Sequence, residues 1–217
     1  MMSIAENIRH YKSELPSNVK LVAVSKFKPV EDLTQAYNAG QRVFGENRPQ
    51  EFAAKVQALP KDIEWHFIGH LQTNKLKFVV PYASLIQSID SEHLLSAVDR
   101  YAGSIGRRVP ILLEIHIAQE EAKQGFNDEE VLDIAGRISE FKNVELRGIM
   151  AMASFTDNQA QIRSEFEHAA AIASRVAQIA SIDNPELSIG MTGDYKIAIE
   201  CGATMVRIGT AIFGARS

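Results

Sequence analysis

This chain lacks most of what would staple it, charge it or anchor it. It has a single cysteine, Cys201, so no disulfide can form within it, and a reducing, cytoplasmic setting is the expectation. No apolar run approaches the roughly 20 residues that a helix needs to cross a bilayer, so a helical membrane protein is excluded. Basic excess is missing too. With 23 Lys and Arg against 27 Asp and Glu, the formal charge is -4, which offers no broad cationic face to nucleic acid or anionic lipid. The N-terminus has no uninterrupted apolar core of a secretion signal, because Glu6, Arg9, Lys12 and Glu14 break it. Instead Ile4, Ile8, Tyr11 and Leu15 fall at helical spacing and read as one face of an amphipathic helix. Low-complexity stretches, internal repeats and linkers are also absent.

What the chain does have is regular alternation. Lys20 to Ser25 reads as a strand, and Pro29 to Ala39 as a helix closed by Gly40. Further strands are read at Arg42 to Gly45, Glu64 to Ile68, Ser84 to Ile89, Pro110 to Ile117, Glu145 to Met150, Leu187 to Gly190 and Thr204 to Ile208. Helices fall between them at Pro49 to Ala58, Asn74 to Val80, Ser91 to Ser104, Asp128 to Glu140, Gln159 to Ala180 and Asp194 to Glu200. Eight strand-helix units without hairpin signals point to an α/β fold, one closed parallel (β/α)8 barrel of the TIM type. It is expected to form a single domain over residues 1–217, with residues 1–18 as an N-terminal helix packed on the barrel. An open doubly wound sheet, binding ligand at a topological switch point, is the alternative.

Two places on this plan carry chemistry. The apolar run Leu21-Val22-Ala23-Val24 gives way to Ser25 and Lys26 at a strand's carboxyl end, where barrels of this kind collect their reactive groups. An ammonium on an apolar rim is partly desolvated, which lowers its pKa and frees the amine as a Schiff-base nucleophile. A lysine that merely snorkels into solvent is the other reading. At the far end, Ser188-Ile189-Gly190-Met191-Thr192-Gly193-Asp194 and Val206-Arg207-Ile208-Gly209-Thr210-Ala211 each end a strand with glycine and a small hydroxyl residue. The loops after strands seven and eight commonly bind phosphate, through free backbone N–H groups and hydroxyls; tight turns and helix caps would use the same residues. Phosphate at one side and an aldehyde-seeking lysine at the other describe a site for a phosphorylated carbonyl compound. Arg207 can point into the same mouth. Its guanidinium has only donors, so a pyridine nitrogen facing it is an unprotonated acceptor; a rim arginine paired with a carboxylate is the plainer reading.

These stretches, with Phe44-Gly45-Glu46-Asn47 and the run Trp65 to Lys75, resemble the YggS/PROSC family of pyridoxal phosphate homeostasis proteins over nearly the whole chain. The resemblance implies a barrel like the N-terminal domain of alanine racemase, with pyridoxal 5'-phosphate (PLP) carried as a Schiff base on Lys26. It also implies phosphate contacts from Thr192, Gly209 and Thr210, Arg207 near the ring nitrogen, and Asn47, His66 and Met191 lining the pocket. The chain departs from the family at Arg48-Pro49, where Tyr-Val is usual, and at Thr192, where serine is common. Met150-Ala151-Met152 stands where the racemase has a histidine against the ring. Lys123 resembles a family lysine near the mouth.

The expected function is therefore intracellular PLP homeostasis: reversible binding of the cofactor and its delivery to apo forms of PLP-dependent enzymes. An enzyme is not favoured, and Lys26 is assigned as the Schiff-base lysine without a catalytic role. In the racemase a second domain supplies a tyrosine opposite the lysine, and in this chain the barrel uses the whole length. A weak amino-acid racemase and a Schiff-base aldolase of phosphorylated sugars are the alternatives. No metal site is expected, since His66 and His70 straddle a strand end instead of sharing a helical face. Neither nucleic acid nor membrane is an expected partner, and the protein is expected to be a monomer or weak dimer.

Overall fold

The computed structural model of the chain describes residues 2–118 and 124–214. Local chemistry starts most of its elements. Ser3 and Glu6 form a reciprocal capping box, with Ser3 N–H donating to Glu6 Oε2 at 2.7 Å, and open α1 (Ile4–Glu14). After β1 (Lys20–Val24), α2 (Val30–Asn38) and β2 (Val43–Glu46), Pro49 takes the first turn of α3 (Pro49–Ala58), where its missing N–H costs nothing. β3 (Glu64–Phe67) follows. The helix expected over Asn74 to Val80 is shorter than read: a 3-10 turn, Thr73–Lys75, leads into the single-turn α4 (Leu76–Val79), because Pro81 has no N–H to extend the ladder.

β4 (Leu85–Ile89) precedes α5 (Glu92–Ser104), capped by Ser91 Oγ. β5 (Val109–Ile115) ends before the expected Ile117, as His116 N–H turns aside to donate to the Phe126 carbonyl at 2.9 Å. Asn127 and Glu130 form a second capping box for α6 (Asp128–Arg137), whose last expected turn tightens into a 3-10 turn at Ile138–Glu140. Then come β6 (Val144–Ala151), α7 (Gln159–Ala180), β7 (Glu186–Met191), α8 (Tyr195–Glu200), β8 (Met205–Ile208) and α9 (Thr210–Phe213).

All neighbouring strands run parallel, and β1 pairs with β8 through Leu21↔Val206 and Ala23↔Ile208, closing the eight strands into a barrel. The closed parallel barrel read from the alternation is thus the architecture found, and the open sheet is not. Val22, Val43, Leu85, Leu112, Met150 and Met205 fill its interior as one apolar cluster. A larger core lies between strands and helices, where Phe52 meets Trp65 and Phe67 edge-on at 5.9 and 5.8 Å. α1 packs against α2 and α9, and Asn7 Nδ2 donates to the Ile212 carbonyl at 3.0 Å. Among the described residues no helix is long and apolar enough to cross a membrane.

Candidate functional site

Parallel closure sends all eight carboxyl ends to one rim. There Lys26 (after β1), Asn47 (after β2), Met191 and Thr192 (end of β7), Arg207 (β8), and Gly209 and Thr210 (entering α9) line one cavity of about 370 Å³. The amine near the start of the sequence and the hydroxyl and glycine turns near its end therefore face a common opening. Roomier clefts of about 850 and 630 Å³ lie at the opposite end of the barrel, around strand starts such as Lys20, Val144 and Glu186; they contain none of these groups. Lys123 lies outside the described residues.

Glycine makes two of the close approaches at this rim possible. A Cβ at Gly209 would come within 3.2 Å of Val24 Cβ and of the Val24 carbonyl, so any larger residue would push the end of β8 a few tenths of an ångström away from β1. At Gly69 a Cβ would sit 2.3 Å from the Asn47 carbonyl oxygen; this glycine seats Asn47. The β7 turn is tied by the Met191 N–H donating to Asp194 Oδ1 at 2.5 Å, and burial raises the Asp194 carboxyl above its ordinary pKa.

Arg207 is buried at 4% exposure and held from below. Its Nη1 donates to the Ser188 carbonyl (2.8 Å) and Ser188 Oγ (2.7 Å), and its Nη2 to the Ala151 carbonyl (3.0 Å). Three of a guanidinium's five N–H groups are spent in this way, leaving two for whatever enters the cavity. Burial lowers its pKa to about 10, with the charges of Glu114 and Asp194 opposing, so it stays cationic at neutral pH.

His66 is not brought to the cavity with the others. Side chains at alternate positions of a barrel strand point inward in successive layers, and His66 lies one layer below Ile68, which does line the mouth. Its Nδ1 accepts from Gln87 Nε2 at 2.8 Å, Gln87 Oε1 accepts from Ser188 Oγ at 2.7 Å, and Ser188 in turn holds Arg207. Burial pushes His66 down to about 3, so it is a neutral ring that reaches the mouth only through this chain of bonds.

Lys26 stands on a loop clamped from behind. Lys55 Nζ, nearly fully buried, donates to the Ser25 carbonyl (2.8 Å), Glu46 Oε1 (2.6 Å) and Glu51 Oε1 (2.7 Å). Glu51 also accepts the Phe27 N–H at 2.8 Å, and Phe27 has the left-handed φ of 63° rare outside glycine. Arg48 lies over the Phe27 ring at 4.1 Å.

The sequence reading passes over Glu114, Lys28 and Ile68 as site residues and takes His70 for a pocket or turn histidine; these four line the same cavity, as does Met152, set near the ring by the resemblance. Glu114 had a visible signal, a lone carboxylate inside the most apolar strand. Burial, with Asp90 nearby, raises its pKa to about 7, while Arg207 pulls it down. Its Oε2 is buried with no hydrogen-bond partner among the described residues. His70 Nδ1 lies 3.0 Å from Asp90 Oδ2 at the outer lip. Among the described residues no group of three or more His, Cys, Asp or Glu is arranged to hold a metal ion.

Residues 1–217 match the family described as alanine racemase, N-terminal domain. The pyridoxal phosphate homeostasis protein of Pasteurella multocida is 41% identical over 225 residues, covering 100% of this chain and 96% of that protein. The chain belongs to the pyridoxal phosphate homeostasis protein family. Within the family, the solved structure of PipY from Synechococcus elongatus PCC7942, with PLP bound, is similar at a TM-score of 0.90 and 36% identity, covering 98% of this chain and 100% of PipY. Alanine racemase from E. faecalis is similar at a TM-score of 0.76 but only 17% identity, and this chain spans 57% of it. That likeness is one of fold alone.

Proposed function

We propose that this protein binds pyridoxal 5'-phosphate at the barrel mouth and serves in PLP homeostasis as a carrier. The observation that supports the reading best is the sharing of one cavity by Lys26 and by Thr192, Gly209 and Thr210. A phosphorylated aldehyde needs an amine for its carbonyl and donors for its phosphate, and the mouth offers both. Lys26 would take the aldehyde; the Thr192 and Thr210 hydroxyls and the backbone at Gly209 would take the phosphate. Arg207, already anchored to Ser188 and Ala151, would present its remaining donors to the pyridine nitrogen. Asn47 and Met191 would flank the ring, and His66 would act at a distance by holding Gln87. When bound, PLP supplies an electrophilic carbonyl and a ring whose power to withdraw electrons is kept low by a guanidinium partner.

A carrier is favoured over an enzyme by what lines the mouth at β6. Met150 and Met152 stand there, and a thioether can pack on a ring but cannot hold or pass a proton. The recipients proposed are apo forms of PLP-dependent enzymes. A single half-buried cysteine is compatible with a reducing cytoplasm. A slow racemase is the second reading, and Glu114 is the observation in its favour, because a mouth carboxyl raised to about 7 can exchange protons at neutral pH.

The test is spectroscopic and chemical. Protein saturated with PLP is expected to be yellow, to lose its visible band on borohydride reduction, and to carry the reduced adduct on the Lys26 peptide; Lys26→Ala abolishes all three. An adduct elsewhere, or none, overturns the site. Incubation of loaded protein with single enantiomers of amino acids then separates the readings, since racemisation at rates typical of enzymes, about 1 s⁻¹ or faster, would replace the carrier with a catalyst.

A further inference from the structure

Beside the mouth a second chamber of about 280 Å³ runs between the ends of β5, β6 and β7, sharing Glu114, Gln124, Met152 and Met191 with it. Its remaining walls include Ile117, Ala153 and Phe155. At the solvent end large apolar side chains stand in water: Phe155 is fully exposed, Met152 43% and Met191 39%. Such a lip marks a place where apolar matter enters. The inner end carries Glu114, only 3% exposed, whose Oε2 has no hydrogen-bond partner among the described residues. A buried carboxylate oxygen in that condition costs free energy until a donor reaches it.

Among the described residues, the charged and polar groups around Glu114 do not meet this need. Gln124 lies beside the carboxylate and lowers its pKa only slightly, while Asp90 repels it and is engaged by His70 at 3.0 Å. Arg207 attracts it from β8, but its hydrogen bonds among the described residues go to Ser188 and Ala151 and not to Glu114. PLP does not meet it either, because its aldehyde and phosphate are matched by Lys26 and by the β7 and β8 turns, and its phosphate would be repelled by a carboxylate on β5.

We propose that this chamber is a port for a primary alkylammonium group without a carboxylate, of the kind that ends a lysine side chain. Its methylene stem lies along Ile117, Met152 and Phe155, and its charge meets Glu114 Oε2. A neutral alkyl chain would leave the carboxylate unanswered, and an α-amino acid would bring a second carboxylate against Glu114 and Asp90. An amine held there stands beside the cavity of Lys26, where a recipient of the carried aldehyde has to arrive. That consequence rests on the carrier reading above, whereas the port rests on its own geometry.

The experiment follows carbon-13-labelled methionine methyls of Met152 and Met191 by NMR during addition of n-butylamine, n-butanol or L-alanine. It uses both unloaded protein and protein whose Lys26 adduct has been fixed with borohydride. n-Butylamine is expected to shift both methyls saturably, with n-butanol and L-alanine at least about tenfold weaker. Glu114→Gln is expected to weaken n-butylamine by about tenfold or more, and Phe155→Ser, which leaves the carboxylate untouched, by about threefold. Equal response to n-butanol or L-alanine, or unchanged n-butylamine binding in both variants, overturns the port. Methyl shifts without any Lys26 adduct leave the port standing and remove the cofactor reading. An adduct without shifts does the reverse.

Discussion

Replacing Lys55 by methionine keeps most of the side chain's volume and deletes one charge, and the structure sets what that deletion costs. The lysine ammonium touches three acceptors at 2.6 to 2.8 Å, and its main partner, Glu46, is fully buried. After the change Glu46 keeps only the Ser25 hydroxyl at 2.6 Å, since its Oε2 has no partner among the described residues. Removing one member of a buried ion pair typically costs about 3–5 kcal/mol, mostly from the stranded charge. Burial already raises the Glu46 pKa above its ordinary value against the pull of Lys55, and Lys55→Met raises it further. An acid whose folded pKa exceeds its unfolded one loses stability as pH climbs from the unfolded toward the folded value. The deficit of the variant should therefore be small near pH 4 and grow toward neutrality.

The assay is urea unfolding followed by the fluorescence of Trp65, the one tryptophan, which is 3% exposed against Phe44 and Phe52. A loss of about 4 kcal/mol lowers the midpoint by roughly 1.5–2 M urea. Adding Glu46→Gln removes the stranded charge and should return about half of the loss. Because the same ammonium ties the Ser25 carbonyl and the Glu51 that holds the Phe27 N–H, the variant should also form the Lys26 adduct more slowly. A pH-independent loss below about 1 kcal/mol would refute the reasoning, because it would mean that water reaches Glu46 and the pair is not buried in solution.

Gly69→Ala drives a methyl group to 2.3 Å from the Asn47 carbonyl, so it should cost about 1–3 kcal/mol and weaken PLP retention on dialysis. Gln87→Met leaves His66 Nδ1 without its donor and Ser188 Oγ without its acceptor, and should lower unfolding stability by about 1–3 kcal/mol in urea. It should also shift the visible band of the loaded protein, because Ser188 no longer has a fixed hydroxyl direction beneath Arg207. Glu114 is raised to about 7, so its contribution to stability falls as pH rises from the ordinary carboxyl range to neutrality; Glu114→Gln should flatten that part of the stability profile.

Much of the fold was legible because a parallel barrel repeats one local instruction. Apolar runs bounded by helical patterns located all eight strands to within about two residues, and the misses at α4 and β5 have local causes in Pro81 and the His116 N–H. Lys26 and the Thr192 and Gly209-Thr210 turns were legible for the same reason, as each directly follows a strand. The place of His66 in the pocket rests on resemblance, and its layer within the barrel puts it beneath the mouth. The Glu46, Glu51 and Lys55 clamp left no mark in hydrophobic pattern.

The sequence by itself determined which segments are strands, in what order, and which chemistry sits at their carboxyl ends, because period and punctuation are properties of short stretches. Only the tertiary structure decided which of those ends meet. Closure of β1 on β8 places Lys26 beside Gly209 across more than 180 positions of chain, a proximity set by barrel register. Depth was decided there as well. Alternation along a strand tells whether a side chain points inward, but strand tilt and stagger determine whether it reaches the mouth, as Glu114 does, or the layer below, as His66 does.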